Sequence, residues 1–179
     1  CQKEFDDPAN RRFHAEPNAC PVCGPILQLL DKDGRAIPAA DPLRKAVTAL
    51  KRGDILAIKG LGGFHLAVDA TNEEAVQKLR ARKLREEKPF AIMVRDLAAA
   101  KEITNISPEE ERLLQTPQRP IVLLHKKYRS AIATAVAPGV DTFGIMLPYT
   151  PLHHLLMQED FAALVMTSAN KSDEPICIQ

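Results

Sequence analysis

Three stretches of this chain hold residue types that, brought together, could grip a polyphosphate. Arg80-Ala-Arg82-Lys83-Leu-Arg85-Glu-Glu-Lys88-Pro89 crowds five cations into the place where a helix should stop and a strand should start. Lys59-Gly60-Leu-Gly62-Gly63-Phe-His65 is a glycine-rich turn, and Thr167-Ser168-Ala-Asn170-Lys-Ser-Asp-Glu-Pro175 is a run of hydroxyls and amides. Lys and Arg can neutralise phosphate charge through charge-assisted hydrogen bonds. Backbone amides of a glycine turn can approach phosphate closely, and Ser168 and Asn170 can donate to a phosphate or a ribose. Lys59, Lys88, Ser168 and Asn170 flank expected strand ends, where ligands of open α/β sheets sit. The cationic stretch has a competing reading as a solvated helix end that complements the helix dipole, a contribution of about 0.3–1 kcal/mol. Only the company of the other two stretches favours a site. The glycine turn is neither a P-loop nor a dinucleotide fingerprint, since residue 65 is His and no Gly-Lys-Ser/Thr follows.

His65, His153 and His154 are the candidate titrating groups. A single histidine is usually structural, but His65 follows the glycine turn, where it could polarise or protonate a small carbonyl substrate. Asp69 and Asp173 could help hold magnesium on a nucleotide, against ordinary turn and capping roles. The four cysteines are Cys1, Cys20, Cys23 and Cys177. Cys20-Pro-Val-Cys23-Gly24 has the spacing of a zinc knuckle, in which two thiolates face one tetrahedral ion. Cys1 would add a third thiolate as half of another pair, with the fourth ligand expected upstream of residue 1; His14 is an alternative fourth. A redox-inert or thioredoxin-like pair is the rival reading, disfavoured because no βαβ pattern surrounds it. Cys177 reads as an ordinary cysteine.

The elements that must position these residues can be read in outline. The chain has 179 residues, 45% apolar and 26% charged, with net charge +1. That describes a globular protein able to build a core, with no general electrostatic pull toward nucleic acid or anionic membrane. No apolar run reaches the length of a membrane span and no signal peptide is visible, so a cytoplasmic setting is expected. The chain opens on Cys1 rather than Met, as an excised fragment would. Residues 1–39 are proline-punctuated and poor in apolar periodicity, a module that needs a metal clip to order. Within it, Ile26–Leu30 reads as a short strand, and Arg11, Arg12, Phe13 and His14 as a basic-aromatic patch that either touches phosphate or packs on its neighbours. Residues 40–179 form the larger domain. Helices are expected after Asp41-Pro42, after a capping box at Thr71–Glu74, after Asp96 and after a capping box at Ser107–Glu110. Apolar runs at 55–58, 64–69, 90–94, 121–124, 143–147 and 163–166 read as strands, the first as one buried on both faces. Residues 125–142 read as loop, and Pro148–Met157 as a turn and short helix. The alternation points to α/β with a mixed or mostly parallel twisted sheet.

On these residues the chain resembles a known family. Lys59–Ala70, Arg82–Ala91 and Thr167–Asn170 are similar to the YrdC-like domain. Cys1–Pro8, Arg11–Ala15 and Ala19–Pro25 resemble the second zinc finger of the HypF carbamoyltransferases of [NiFe]-hydrogenase maturation, and Leu147-Pro-Tyr-Thr-Pro-Leu-His-His154 fits the same family. The resemblance implies an α/β fold, a YrdC-like open twisted mixed sheet flanked by helices and preceded by a zinc-finger module. It implies formation of carbamoyl-adenylate from carbamoyl phosphate and ATP with Mg2+, followed by carbamoyl transfer to the C-terminal cysteine of HypE and conversion to cyanide. Lys83 and Arg85 match the family's Lys-x-Arg motif, and Ser168 and Asn170 its Ser/Thr-x-Asn motif, both on ATP phosphates. Zn2+ would be structural, on Cys1, Cys20 and Cys23. The resemblance covers a finger and most of a YrdC-like domain, so truncation after Asn170 and loss of independent activity are expected.

Two rivals share the fold. Synthases of threonylcarbamoyl-AMP carry Thr-x-Tyr-Gly-Leu where this chain has Gly62-Gly-Phe-His-Leu66, and an Arg where it has Met146. Those losses argue against reading threonine's carboxylate, and His65 suits a smaller carbamate. A double-stranded RNA-binding module is the other rival, with little support from a net charge of +1.

Overall fold

The computed structural model describes residues 1–17, 19–20, 22–170 and 177. They cluster into two compact units, Cys1–Pro42 and Leu43–Gln179.

Among its described residues the first unit holds one short helix, α1 (Gln2–Asp6), one isolated bridge, and otherwise turns and irregular segments. Its basic-aromatic patch packs locally: Arg12 Nη1 donates to both Glu4 carboxylate oxygens at 3.1 and 3.0 Å, and His14 stacks on Phe5 with centroids 4.9 Å apart. The expected strand at Ile26–Leu30 does not form. Only Leu30 pairs, in a single antiparallel bridge to Ala36, and Ile26 stays 79% exposed. Beyond this bridge the only backbone bonds flanking it are Ile37 N to Leu29 O and Asp31 N to Arg35 O, both at 2.8 Å among the described residues, too few to make a strand.

The second unit is a six-stranded sheet in the order β1-β2-β6-β3-β5-β4. Its strands are β1 (Leu56–Lys59), β2 (Phe64–Asp69), β3 (Ala91–Met93), β4 (Val122–His125), β5 (Thr142–Met146) and β6 (Leu164–Ser168). The sheet is mixed, and only the β3–β5 pairing is parallel. The tight turn at 60–63 makes β1 and β2 a hairpin, whereas a parallel neighbour would need a crossover. β1 is therefore an edge strand with one buried residue, Ile58, rather than a strand covered on both faces.

Alternation along the strands divides two cores. On β6, Val165 faces the layer of α3 (Glu73–Lys83), α4 (Leu97–Ile103) and α5 (Pro108–Leu114), with Leu79, Ile103 and Leu114. Leu164 and Met166 face the layer of α2 (Pro42–Lys51) and α6 (Pro151–Met157), with Leu50, Leu156 and Met157. Each fully buried side chain of this size contributes about 1.5–3 kcal/mol. Residues 125–142 are not a solvated loop. They include a 3-10 turn, Thr134–Val136, and bury Ile132, Ala133, Ala135 and Val136 in the first core.

Most helix starts follow local chemistry. Asp96 Oδ1 accepts from Ala99 N at 2.9 Å, Ser107 and Glu110 form the reciprocal capping box, and Thr150 Oγ1 accepts from His153 N at 3.2 Å. At α3 the cap is Asn72, not Thr71. Asp69 Oδ1 already takes the Thr71 amide at 2.8 Å and its hydroxyl at 2.7 Å, which leaves Asn72 Oδ1 to accept from Ala75 N at 3.0 Å. Asp69 thus has a turn role, and Asp173 lies outside the described residues.

Candidate functional site

The cationic stretch begins inside α3 and ends before β3. Leu84 closes the helix in the left-handed region at φ 50°, with its amide directed to Ala81 O and Arg80 O. A non-glycine residue there costs about 1–2 kcal/mol, and the reversal turns residues 85–88 toward the C-terminal end of β6. A cleft of about 490 Å³ results, lined by Lys83, Arg85, Lys88, Ser168 and Asn170 among others. Lys83, Arg85, Ser168 and Asn170, separated by more than eighty positions in the chain, therefore meet at one cleft, and Lys88 joins them.

Lys83 Nζ donates to Ser168 O at 2.6 Å, Asn170 O at 3.0 Å and Asn170 Oδ1 at 3.4 Å. The longest of these is the weakest and the one most readily exchanged for an anion. Arg85 spends Nε on Lys88 O, Nη2 on Pro89 O and one Nη1 bond on Thr167 Oγ1. A guanidinium has five donors, so it retains capacity for a further acceptor. Burial holds Lys83 below the ordinary lysine range, helped by the neighbouring Arg85 cation, and burial does the same to Arg85, helped by Arg80. Crowded, half-buried cations of this kind are a site that an anion relieves. Ser168 Oγ donates to Asn170 Oδ1 at 2.5 Å, which fixes the hydroxyl and amide relative to each other.

Arg80 is a structural partner that the sequence reading did not assign. Its guanidinium donates to five carbonyls: Ala135 O (2.6 Å), Arg85 O (2.8 Å), Glu86 O (3.1 Å), Lys88 O (3.2 Å) and Val136 O (3.3 Å). The guanidinium carbons of Arg80 and Arg85 both lie over the Phe90 ring, 4.9 and 4.8 Å from its centroid. Arg80 thus ties the helix end, the 85–88 turn and the 3-10 turn together. Its position in the last helical turn resembles any dipole-complementing cation, so nothing local marks it.

His65 lies on β2 directly opposite Ser168 of β6. Paired residues project to the same sheet face with Cβ atoms about 4.5–5.5 Å apart, which places His65 next to Ser168, one of the residues lining the cleft. The Gly60 amide donates to Gly63 O at 2.8 Å, and a Cβ at Gly60 would sit 2.8 Å from the His65 ring, so the turn needs glycine to admit that ring. Tyr149 Oη lies 2.8 Å from His65 Nε2. His153, fully buried on α6, meets the Tyr149 ring edge-on at 4.5 Å and has no hydrogen-bond partner for either ring nitrogen. Burial lowers the His65 pKa, raises that of Tyr149, and takes His153 down to about 4 with help from His65 and His154. His154 is exposed. Lys59 lies over the Phe64 ring at 4.7 Å. Cys177 pairs through its backbone, accepting from Phe64 N at 2.8 Å and donating to Ala169 O at 3.2 Å. Tyr149 is the second residue missed: its partner is on a distant strand, and no local spacing reveals that pair.

In the first unit the Sγ atoms of Cys1, Cys20 and Cys23 lie within 4.8 Å of one another, at 3.1 Å for Cys1–Cys23 and 3.6 Å for Cys20–Cys23. Tetrahedral zinc–thiolate bonds of about 2.3 Å require sulfurs at roughly this spacing, so the donor set fits. The Val22 amide points at Cys20 Sγ at 3.4 Å, and the amides of Cys23 and Val22 lower the Cys20 pKa toward the thiolate. A Cβ at Gly24 would lie 2.7 Å from Cys20 O, so the knuckle requires its glycine. His14 is not in this group and is stacked on Phe5.

The Sua5_yciO_yrdC model, described as telomere recombination, matches residues 48–179. This chain belongs to the Sua5/YciO/YrdC family. The HypF finger model matches residues 1–30 ahead of the Sua5/YciO/YrdC region. The carbamoyltransferase HypF of Rhodobacter capsulatus is 51% identical over 175 residues, which is 98% of this chain and 23% of that protein. The crystal structure of full-length HypF in its phosphate- and nucleotide-bound form superposes with a TM-score of 0.84 at 51% identity, covering 99% of this chain and 23% of the other. The HypF of T. kodakarensis superposes with a TM-score of 0.88 at 48% identity, covering 98% and 23%. The HypF resemblance read from the motifs thus holds over nearly the whole chain, and the chain spans about a quarter of those proteins' length. Among the described residues no helix is long and apolar enough to cross a membrane.

Proposed function

We propose that this chain forms carbamoyl-adenylate, using ATP bound in the cleft between the α3 end and the β6 end. In this reading Lys83 and Arg85 neutralise the triphosphate, Ser168 and Asn170 orient it, Lys88 adds positive charge at the cleft, and Lys59 is a further cation at the end of β1. Magnesium enters with the nucleotide. Carbamate, released from carbamoyl phosphate by hydrolysis, attacks the α-phosphorus through a carboxylate oxygen. The bond from the α-phosphorus to the bridging oxygen breaks, and pyrophosphate leaves with its charge held by the cations. His65, beside Ser168, donates to the carbamate and is the candidate catalytic residue. The carbamoyl group then passes, in the context of a whole carbamoyltransferase, to the C-terminal cysteine of HypE for the cyanide ligands of [NiFe]-hydrogenase. Zinc on Cys1, Cys20 and Cys23 has a structural role only.

The observation that carries this reading is the convergence of Lys83, Arg85, Ser168 and Asn170 on one cleft. The test is ATP–pyrophosphate exchange with carbamoyl phosphate or ammonium carbamate in one arm, and threonine plus bicarbonate in the other. Exchange confined to the first arm is expected. Lys83→Ala and Arg85→Ala should each weaken ATP by about 10- to 150-fold, the equivalent of one charged hydrogen bond of about 1.5–3 kcal/mol. Exchange confined to the threonine arm, or unaltered in both variants, refutes the assignment.

A further inference from the structure

Tyr149 closes a hydrogen bond on His65 that the phosphate chemistry does not require. The two are 84 positions apart in the chain, and their contact is Oη to Nε2 at 2.8 Å. Tyr149 is held from both sides of its turn. β5 ends at Met146 before it, and after it Thr150 caps α6 with Pro151 in the first turn. Its ring rests against the buried His153 ring, edge-on at 4.5 Å. On its other side the Cδ2–Nε2 edge of the imidazole packs close to the glycine turn, 2.8 Å from where a Gly60 Cβ would stand. In this packing the imidazole presents Nε2 to the phenol.

The donor can be assigned by chemistry. A phenol O–H is a good donor, while its oxygen is a weak acceptor because its lone pair is delocalised into the ring. No other acceptor for the Tyr149 hydroxyl is found among the described residues. The O–H then donates to Nε2, and a neutral imidazole accepting at Nε2 must carry its proton on Nδ1. Burial keeps both groups neutral, since it lowers the His65 pKa and raises that of Tyr149.

We propose that Tyr149 is the positioning residue of this site: its phenol holds His65 as the Nδ1–H tautomer, so that the ring presents an N–H, not a lone pair, to the substrate. The substrate class this selects is a small anionic or carbonyl oxygen such as the carbamate carboxylate. A substrate whose proton must be abstracted at that point would need the opposite tautomer. The functional part of this inference rests on the adenylation reading; the tautomer itself does not.

The first arm of the test is spectroscopic. Long-range 1H–15N correlation on [15N]histidine-labelled protein at pH 7.5, assigned with His65→Asn, should show a protonated Nδ1 and an unprotonated Nε2 for His65. Tyr149→Phe keeps the ring and removes the hydroxyl, and should convert the signal to a mixture or to the Nε2–H form. An Nε2–H signal in the wild type, or no change in Tyr149→Phe, overturns the proposal. The second arm is kinetic. Tyr149→Phe should lower kcat of carbamate-dependent exchange by about 10- to 100-fold, the scale known for partners that orient metal-ligating histidines, with KM for ATP unchanged. His65→Asn, whose amide N–H stands at the Nδ1 position, should retain more activity than His65→Gln, whose amide stands at the Nε2 position. In the His65→Asn background, Tyr149→Phe should add no further loss. Equal activity of the Asn and Gln variants, or full additivity, overturns the positioning role. A wild type without exchange in any substrate arm removes the adenylation reading, and the spectroscopic arm then decides the tautomer alone.

Discussion

His153 should make this protein sensitive to mild acid, and one substitution should remove that sensitivity. The ring is wholly buried in the α2/α6 core, neither nitrogen has a partner, and burial takes its pKa from 6.5 to about 4. The unfolded chain therefore binds a proton between those values when the folded protein does not. Stability is present above pH 6.5 and is lost as the pH falls through the window toward 4. Each pKa unit corresponds to about 1.4 kcal/mol, so the full window amounts to about 3 kcal/mol. Roughly 2 kcal/mol of that is gone by pH 5. Domains of this size are stable by only about 5–15 kcal/mol, so the loss is visible in a urea midpoint. His153→Leu replaces an unpartnered imidazole by an apolar side chain on the buried face of α6 with Leu156 and Met157, and should be at least as stable at pH 7.5. The assay is urea unfolding of both proteins at pH 7.5 and pH 5. His65 and the surface carboxylates are common to both, so the difference between the two pH shifts isolates His153. The wild type should lose about 2 kcal/mol more than the variant on acidification. Parallel losses would mean that His153 is protonated in place or finds a partner on acidification, and the reasoning from burial would fail.

Arg80→Lys keeps the charge but cannot serve five carbonyls at once; it should lower stability by about 2–4 kcal/mol and weaken nucleotide binding, read by thermal unfolding and by titration with ATP. Unchanged unfolding would mean that the 85–88 turn holds itself. Gly60→Ala puts a Cβ 2.8 Å from the His65 ring, so it should displace that ring and reduce exchange while leaving ATP affinity intact; retained exchange would show that the turn gives way instead. Cys20→Ser should release the bound metal and open residues 1–39 to protease, measured by metal analysis and limited proteolysis, with the larger unit's resistance unchanged. Metal content equal to wild type would remove Cys20 from the ligand set.

The parts that were legible in the sequence are those decided by local chemistry. Asp96, Ser107 and the Asp41-Pro42 pair mark helix starts because a side-chain oxygen or a ring nitrogen acts within one turn of its own position. The Cys20–Cys23 knuckle is local in the same sense. What misled was local chemistry with a competitor nearby. Thr71 looked like a cap, but its hydroxyl was already taken by Asp69, two residues back. Ile55–Ile58 looked doubly covered, yet apolar composition carries no information on which strand ends a sheet. Within the candidate site the same division holds. Cations advertise an anion by type, so Lys83 and Arg85 stood out, whereas no residue of the 60–63 turn is among those lining the cleft. Tyr149 and Arg80 act by where they are: one meets a ring 84 positions away, the other collects carbonyls from three segments. Neither residue type nor spacing encodes such partners, because a phenol or a helix-end arginine is chemically satisfied in many settings. The residues that could touch substrate were thus easier to read than those that hold them in place. In the proposed reading the holding residues set which nitrogen of His65 carries its proton and how the 85–88 turn is held beside the cleft.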